Sequence, residues 1–511
     1  MSSGRKSLEI RLKYLLRLFD ILSDKTTRIL LWIVFLKKSK KSDVFNKENR
    51  ASYITAVALM SLFTLTFLGA EFLFVNVISR TVSGDRSVNA QNYALGVSVV
   101  GFALYPLFCR IFKEKLLSVI SVISAVISVA CLFLMCRHST YMLTLGSGLV
   151  LFLILGVFGS AVFYKAVCLL KNNEFLARLV GLSYMLGILL QIANNNLIHA
   201  DMSEAGVLSA FVLLLSVMLI KAGKSCAAST ASEGNTQGEN NKKDNSGLKI
   251  GVVLVLFVAL MTCIFGTLDN AVTLYHANGV ANIGQWHRIF LALSGFLAGF
   301  LFDVAKRKYM GVIMYCVMIL STACLVILQF AGPFSAGLAV FYLSAGFFAV
   351  FFTASFMELS QYTNTPQLWA GLGRAVNNLV AMAISGGSLA LLNSGNNIAI
   401  ITGELLLFVL TSITALIYTV KRRELFERLY AAEKEAVSSS ERLERLSEKF
   451  SFTPREAEVF GLLVSTEDGL QTIADNLFIS RRTLERYVSA IYEKTGTKTR
   501  IGLISLFNNN R

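Results

Sequence analysis

Apolar and polar residues fall in long blocks along this chain, not in short alternations. Apolar runs of about twenty residues, enough to cross a bilayer, recur at 53–78, 93–112, 116–136, 142–163, 179–199 and 205–220. A stretch rich in Ser, Asn, Gly and Lys follows at 221–249, a composition that cannot bury a core and is expected to be a flexible cytoplasmic linker. Further apolar runs occupy 250–270, 288–304, 309–329, 336–357, 370–392 and 398–420. The pattern predicts two membrane halves, 51–220 and 250–420, with six spanning helices in each. Beyond residue 420 the apolar blocks stop, and charged residues return at helical spacing.

Composition agrees with that division. Of the 511 residues, 54% are hydrophobic and 16% charged, where a soluble chain carries about a quarter charged. The net charge of +16 has two explanations: basic loops that orient spans against anionic lipid, and a basic domain that neutralises phosphates. Both are expected here, in different parts of the chain. The eight cysteines lie mostly inside apolar runs without CxxC spacing and read as small packing residues. Segment 1–50 is basic, and its one apolar run, 29–36, is too short to span, so it is expected to lie at the cytoplasmic interface and not to act as a cleavable signal.

Orientation follows from Lys and Arg. Loops assigned inside carry Arg110, Lys113, Lys115, Lys171, Arg178, the linker, Lys306, Arg307 and Lys308, whereas those assigned outside carry only Arg80, Arg86, Arg137 and Arg288. Both termini are therefore expected in the cytoplasm. The six-plus-six plan resembles the major facilitator superfamily. GFLFDVAKRK at 299–308 is similar to that family's loop motif through Gly299, Leu301, Asp303, Arg307 and Lys308, and departs from it at Val304 and Lys306, where the family favours Arg and Gly. The corresponding loop of the first half, LFCRIFKEK, lacks the Asp. The resemblance covers about 50–420. A weak internal repeat, FLGAE at 67–71 and FGTLD at 265–269, places an acid at matching depth in the first span of each half.

The charged segment 421–449 carries Leu425, Leu429, Leu443 and Leu446, interrupted by Ser438, Ser439 and Ser440. So few leucines predict a helical connector and not a coiled coil. At 450–511 the signals are local and strong. Thr453 as N-cap, Pro454 in the first position and Glu456 make a capping box, ahead of an apolar face of Val459, Phe460, Leu462 and Leu463. A second helix is predicted at 471–477, with Ile473, Ala474 and Leu477 inward. A third begins at Arg481 behind the N-cap Ser480. On the third helix Leu484, Val488 and Ile491 share one face, and Arg482, Glu485, Arg486 and Ser489 share the other. Two helices joined by a tight turn, the second exposing arginines, have the geometry of a major-groove reader.

This tail closely resembles the LuxR-type (NarL/FixJ-like) DNA-binding domain over about 452–507, through Thr453, Pro454, Arg455, Glu456, Glu458, Val459, Ile473, Ala474 and the run FISRRTLERYVSAIYEKTG, with Lys498 and Arg500 beyond. The resemblance implies a four-helix domain whose third helix enters the major groove and whose last helix often dimerises. Thr472 stands where relatives carry Glu. Glu485 stands where they often carry a base-reading Lys, and its carboxylate suits cytosine N4 instead. Base contacts are expected from Arg482, Glu485, Arg486 and Ser489, and phosphate contacts from Arg481, Lys494, Lys498 and Arg500.

Ionisable groups within spans face cavities or partners. Glu71, Asp269 and Glu404, with Asn377 and Asn378 beside them, are candidates for a ligand site between the halves; the alternative is a structural interhelical hydrogen bond. His138, His199, His276 and His287 fall at span ends without metal-ligand spacing, and QWHR at 285–288 suits an interfacial anchor. No metal, cofactor or catalytic constellation is expected.

The expected fold class is all-α: a polytopic twelve-helix membrane domain followed by a four-helix DNA-binding domain. The expected protein is a one-component regulator in a bacterial cytoplasmic membrane. Its expected partners are a small-molecule effector, the lipid bilayer and double-stranded DNA, bound as a homodimer. A functional secondary transporter with a regulatory DNA-binding tail is the alternative, and a membrane-tethered DNA anchor without ligand is a third reading.

Overall fold

The computed structural model describes residues 47–137, 140–170, 175–233, 246–279, 287–331, 334–394 and 397–509. Most of the basic segment 1–50, His138, Gln285, Trp286 and the centre of the 221–249 linker lie outside the described residues. Among the described residues there are helices and no strands. The chain forms two compact units, Met1–Val420 and Lys421–Arg511.

In the first unit the helices are α1 (Lys47–Ile78), α2 (Gly84–Ile111), α3 (Glu114–Met135), α4 (Tyr141–Leu169), α5 (Leu176–Leu197), α6 (Asp201–Glu233), α7 (Ser246–Ala277), α8 (Arg288–Phe302), α9 (Met310–Ala331), α10 (Phe334–Ser360), α11 (Pro366–Asn393) and α12 (Asn397–Lys449), whose last part enters the second unit. Helix α6 carries on to Glu233, so the first part of the stretch expected to be flexible is helical. By length and composition ten of these helices suit a membrane crossing, while α8 and the 310–323 part of α9 are shorter apolar helices. Side chains such as Ile123, Val126, Leu406 and Leu416 are 54–68% exposed. An apolar outer surface of this kind is stable only with lipid as its solvent.

The packing repeats between halves. Helix α1 lies on α5 as α7 lies on α11, α2 on α4 as α8 on α10, and α3 on α4 as α9 on α10. The halves meet where α2 packs on α11 and α5 on α8, which are equivalent pairs under the same exchange. The described helices of the first unit thus form two groups of six built on one packing plan. At the α5–α8 crossing the backbones touch: a Cβ on Gly181 would sit 2.6 Å from the Gly295 carbonyl oxygen, and one on Gly299 would sit 2.8 Å from that of Ala177. Only glycine permits this approach.

Polar side chains then bridge the halves in the interior. Asn92 of α2 donates to Asn270 of α7 (2.8 Å) and to Ser385 of α11 (3.1 Å), Asn270 donates to Ser388 (2.6 Å), Ser385 to Asn89 (2.8 Å), and Asn378 to Ser98 (2.9 Å). Nearer the α8 end, Asp303 and Arg307 are buried and 3.2 Å apart, and Arg307 bonds Glu358 at 2.7 Å. Ala305, Lys306 and Arg307 all have left-handed backbone (φ 50°, 54° and 64°). Lys306 thus holds a backbone conformation that glycine adopts without strain.

The second unit contains the end of α12 and the helices α13 (Pro454–Ser465), α14 (Leu470–Asn476), α15 (Arg481–Thr495) and α16 (Arg500–Asn509). Val459, Phe460, Leu463, Ile473, Ala474, Leu477, Leu484, Val488, Ile491 and Leu503 form its core. Leu446 joins that core from α12 and Leu443 packs against it, so part of the expected connector stripe belongs to the domain itself.

Candidate functional site

The second unit presents helix α15 on a fixed platform. Thr453 Oγ1 accepts the Glu456 amide at 3.3 Å and Glu456 Oε2 accepts the Thr453 amide at 2.7 Å, which completes the capping box. Ser480 caps α15 by accepting the Thr483 amide at 3.1 Å, and Gly496 ends it in a left-handed turn (φ 70°). With Leu484, Val488 and Ile491 buried, the opposite face necessarily points outward. Arg481, Arg482, Glu485, Arg486 and Ser489 are all exposed there. Arg481 pairs with Glu485 at 3.0 Å, and the Arg486 guanidinium stands 5.9 Å from the Tyr487 ring. The Glu485 carboxylate is thus one helical turn from a neutralising cation, while Arg482 leads the face. Lys498 is exposed beyond the helix.

Two of the expected phosphate contacts have work inside the domain. Lys494 donates to Glu456 Oε2 at 2.6 Å and to the Ser451 carbonyl at 3.1 Å, so it locks the start of α13. Burial pushes the Glu456 carboxyl up, but the Lys494 bond and the Thr453 amide outweigh it and leave the group below its ordinary 4.5. Arg500 donates to the carbonyls of Leu463 (2.8 Å), Thr466 and Asp468. Arg500, expected to contact phosphate, also closes the C-terminal end of α13, whose last carbonyls lack helical partners.

Within the membrane unit, Glu71 on α1 accepts a 2.6 Å bond from Gln91 of α2. It lies in electrostatic reach of Arg374 on α11, Arg288 on α8 and Asp269 on α7. Tyr184 of α5 and Tyr342 of α10 share this field. Arg374 is held between the rings of Phe67 (5.5 Å) and Phe352 (5.3 Å). Both halves therefore contribute charges to one cluster. Asn377, one turn along α11 from Arg374, accepts from Thr262 of α7 at 3.3 Å, an interhelical link, and donates to Asn378 at 3.3 Å. Glu404 is half-buried on α12, and the structure does not bring it into the cluster. His276 bonds Asn76 at 2.8 Å and stacks on Phe72, joining α1 to α7.

Sequence reasoning missed the two cationic members. Arg288, counted with the outer-loop charges and opening the apolar run 288–304, is the first residue of α8, with Nε and Nη1 enclosed. Arg374 lies inside the apolar run 370–392, and the same rule that singled out Glu71 and Asp269 applies to it. Among the described residues no group of three or more His, Cys, Asp or Glu is placed to hold a metal ion.

Residues 450–507 match the family model "GerE: Bacterial regulatory proteins, luxR family". The C-terminal domain is accordingly a LuxR-type helix-turn-helix domain, which binds DNA. Over 73% of this chain the structure is similar to a major facilitator superfamily transporter, FucP, in the outward conformation (10% identity, TM-score 0.48, 99% of that chain). It is also similar to a variant of the E. coli fucose:proton symporter FucP (11% identity, TM-score 0.47, 73% and 99% covered). A third likeness is to an auto-inhibited POT family peptide transporter (11% identity, TM-score 0.48, 73% and 97% covered). No curated protein sequence matches the chain. The chain thus joins a LuxR-type DNA-binding domain to a polytopic helical membrane domain of six-plus-six plan.

Proposed function

We propose that this protein is a one-component transcription regulator of a bacterial cytoplasmic membrane, with both termini in the cytoplasm. A small-molecule effector occupies the charged cluster between the membrane halves, and DNA occupancy is the output. The reading rests on one observation above the rest: a complete, capped recognition helix with an exposed arginine face belongs to the same chain as the cluster built from both halves. A ligand shifts a conformational equilibrium only through differential affinity for its states, and a site shared by two halves changes when they rearrange. On DNA, Arg482, Glu485, Arg486 and Ser489 read base edges, and Arg481 and Lys498 hold phosphates. The protein binds as a homodimer, one copy per half-site.

Glu71→Gln and Asp269→Asn variants of the full-length protein test the division of labour. Effector-dependent DNA occupancy and solute uptake are measured in the same cells. A regulator loses the effector response and shows no concentrative uptake in any variant. Uptake by the unaltered protein that disappears in the variants marks a transporter instead.

A further inference from the structure

The cluster between the halves holds charged donors that the described residues leave unanswered. Nε of Arg374 and both Nε and Nη1 of Arg288 are enclosed, and among the described residues none has a hydrogen-bond acceptor. Enclosing a guanidinium without acceptors for its N–H groups is costly, because the lost hydration is not replaced. The nearby carboxylates do not supply the replacement. Glu71 Oε1 is engaged by Gln91 at 2.6 Å, and Asp269 is exposed and makes no side-chain hydrogen bond among the described residues. The structure therefore offers two unfilled demands in one cluster: planar N–H donors on two cations, and a free carboxylate facing open space.

The rings of Phe67 and Phe352 stand 5.5 and 5.3 Å from the Arg374 guanidinium, and cation–π attraction favours its present position. Tyr184 and Tyr342 add two phenols in the same field, each able to donate or accept. Guanidinium N–H groups match the planar lone pairs of a carboxylate better than any neutral acceptor does. Both arginines come from the second half, Arg288 beginning α8 and Arg374 inside α11, as does Asp269 on α7, while Glu71 is supplied by α1 of the first half.

Resting on the reading of this cluster as the effector site, we infer that the effector is a small organic carboxylate carrying a second, donating group. Its carboxylate is received by Arg374 and Arg288, and its ammonium or hydroxyl by Asp269. With two acids and two arginines already present, a zwitterion keeps the site's charge balanced and a hydroxy acid adds one negative charge.

The full-length protein in detergent micelles is titrated with four probe pairs at fixed ionic strength: acetate and acetamide, benzoate and benzamide, lactate and lactamide, phenylalanine and phenylalaninamide. Thermal unfolding reads binding, because a ligand of the native state raises the melting temperature saturably. At least one carboxylate is expected to stabilise saturably where its amide does not, and to bind about tenfold or more weakly to Arg374→Gln and Arg288→Gln. Asp269→Asn is expected to weaken the lactate or phenylalanine response while leaving acetate and benzoate unchanged; which of the two falls distinguishes hydroxyl from ammonium. Arg288→Gln, at a helix start, serves alone if Arg374→Gln does not fold. No carboxylate outperforming its amide, or equal responses from the arginine variants and the unaltered protein, overturns the assignment. Amides that bind as well as acids in an Asp269-dependent way would overturn the ligand class yet leave an effector site standing. Carboxylate binding without any change in DNA occupancy would retain the class and remove the regulatory reading.

Discussion

The backbone amide of Arg178 donates a 2.8 Å hydrogen bond to Oδ2 of Asp303, and the Ala177 amide reaches Oδ1 at 3.1 Å. One carboxylate at the end of α8 thus caps the start of α5 in the other half, where helix geometry leaves amides without partners. Arg307 and Glu358 complete the buried group. Asp303→Asn removes the charge while keeping the size. It is expected to destabilise the membrane domain by about 2–3 kcal/mol, short of the larger loss of a fully broken buried pair because Glu358 still answers Arg307. Hydrogen exchange at amides 177 and 178 checks it: faster exchange is expected, and unchanged protection would show that this contact does not hold the halves together.

Asn92 joins α2 to α7 and α11 through two side-chain bonds. Interhelical hydrogen bonds in membrane proteins average about 0.6 kcal/mol each. Asn92→Leu is therefore expected to lower stability by about 1 kcal/mol from the two bonds, rising toward about 3 kcal/mol if the stranded Asn270 oxygen finds no other donor. Thermal melting of the full-length protein in detergent reads this, with Ser98→Ala as a single-bond comparison.

Much of the DNA-binding domain was legible in the sequence because its signals are local. The capping box, the Ser480 cap and the Leu484, Val488, Ile491 face are each set by residues within two helical turns, and the structure has all of them. The six-plus-six plan was legible because apolar length alone reports a span. The cluster between the halves was not, because its members come from α1, α7, α8 and α11, and only folding sets them side by side. Arg288 stands at the border of a polar stretch and the apolar run 288–304, and periodicity alone does not say which charges its guanidinium meets. Arg500 carries contacts that the sequence did not indicate: three carbonyls of the same domain accept from its guanidinium.

Leu446 lies ahead of the 450–507 match, yet it is 2% exposed within the domain core. Leu446→Ala is expected to cost the DNA-binding domain about 2–4 kcal/mol through lost burial and the cavity left behind. Hydrogen exchange at the α15 amides measures it; protection unchanged from the unaltered protein would place the domain's boundary after Leu446.

The Glu456–Lys494 contact carries a pH dependence of known sign. The folded-state value of Glu456 is depressed below its ordinary 4.5, so its contribution to stability is fully present above that value. It is lost as pH falls through the lower folded value. Lys494 is 34% exposed in this pair, and screening keeps the contribution small. Exchange protection of α13 is expected to fall on acidification in the unaltered protein and to fall less in Glu456→Gln. That variant starts about 1 kcal/mol less stable at neutral pH because its reciprocal cap is weakened. Parallel acid profiles for the two proteins would contradict this.

Genome-wide DNA occupancy of the full-length protein in its native cell, beside the Arg482→Ala/Arg486→Ala double variant, tests the central claim most directly. Neither arginine is buried or caps a helix, so the variant is expected to fold and insert as the unaltered protein does. Discrete sites of occupancy that vanish in the variant are the predicted result. Diffuse or absent occupancy, the same in both proteins, would contradict the account of a membrane-embedded transcription regulator.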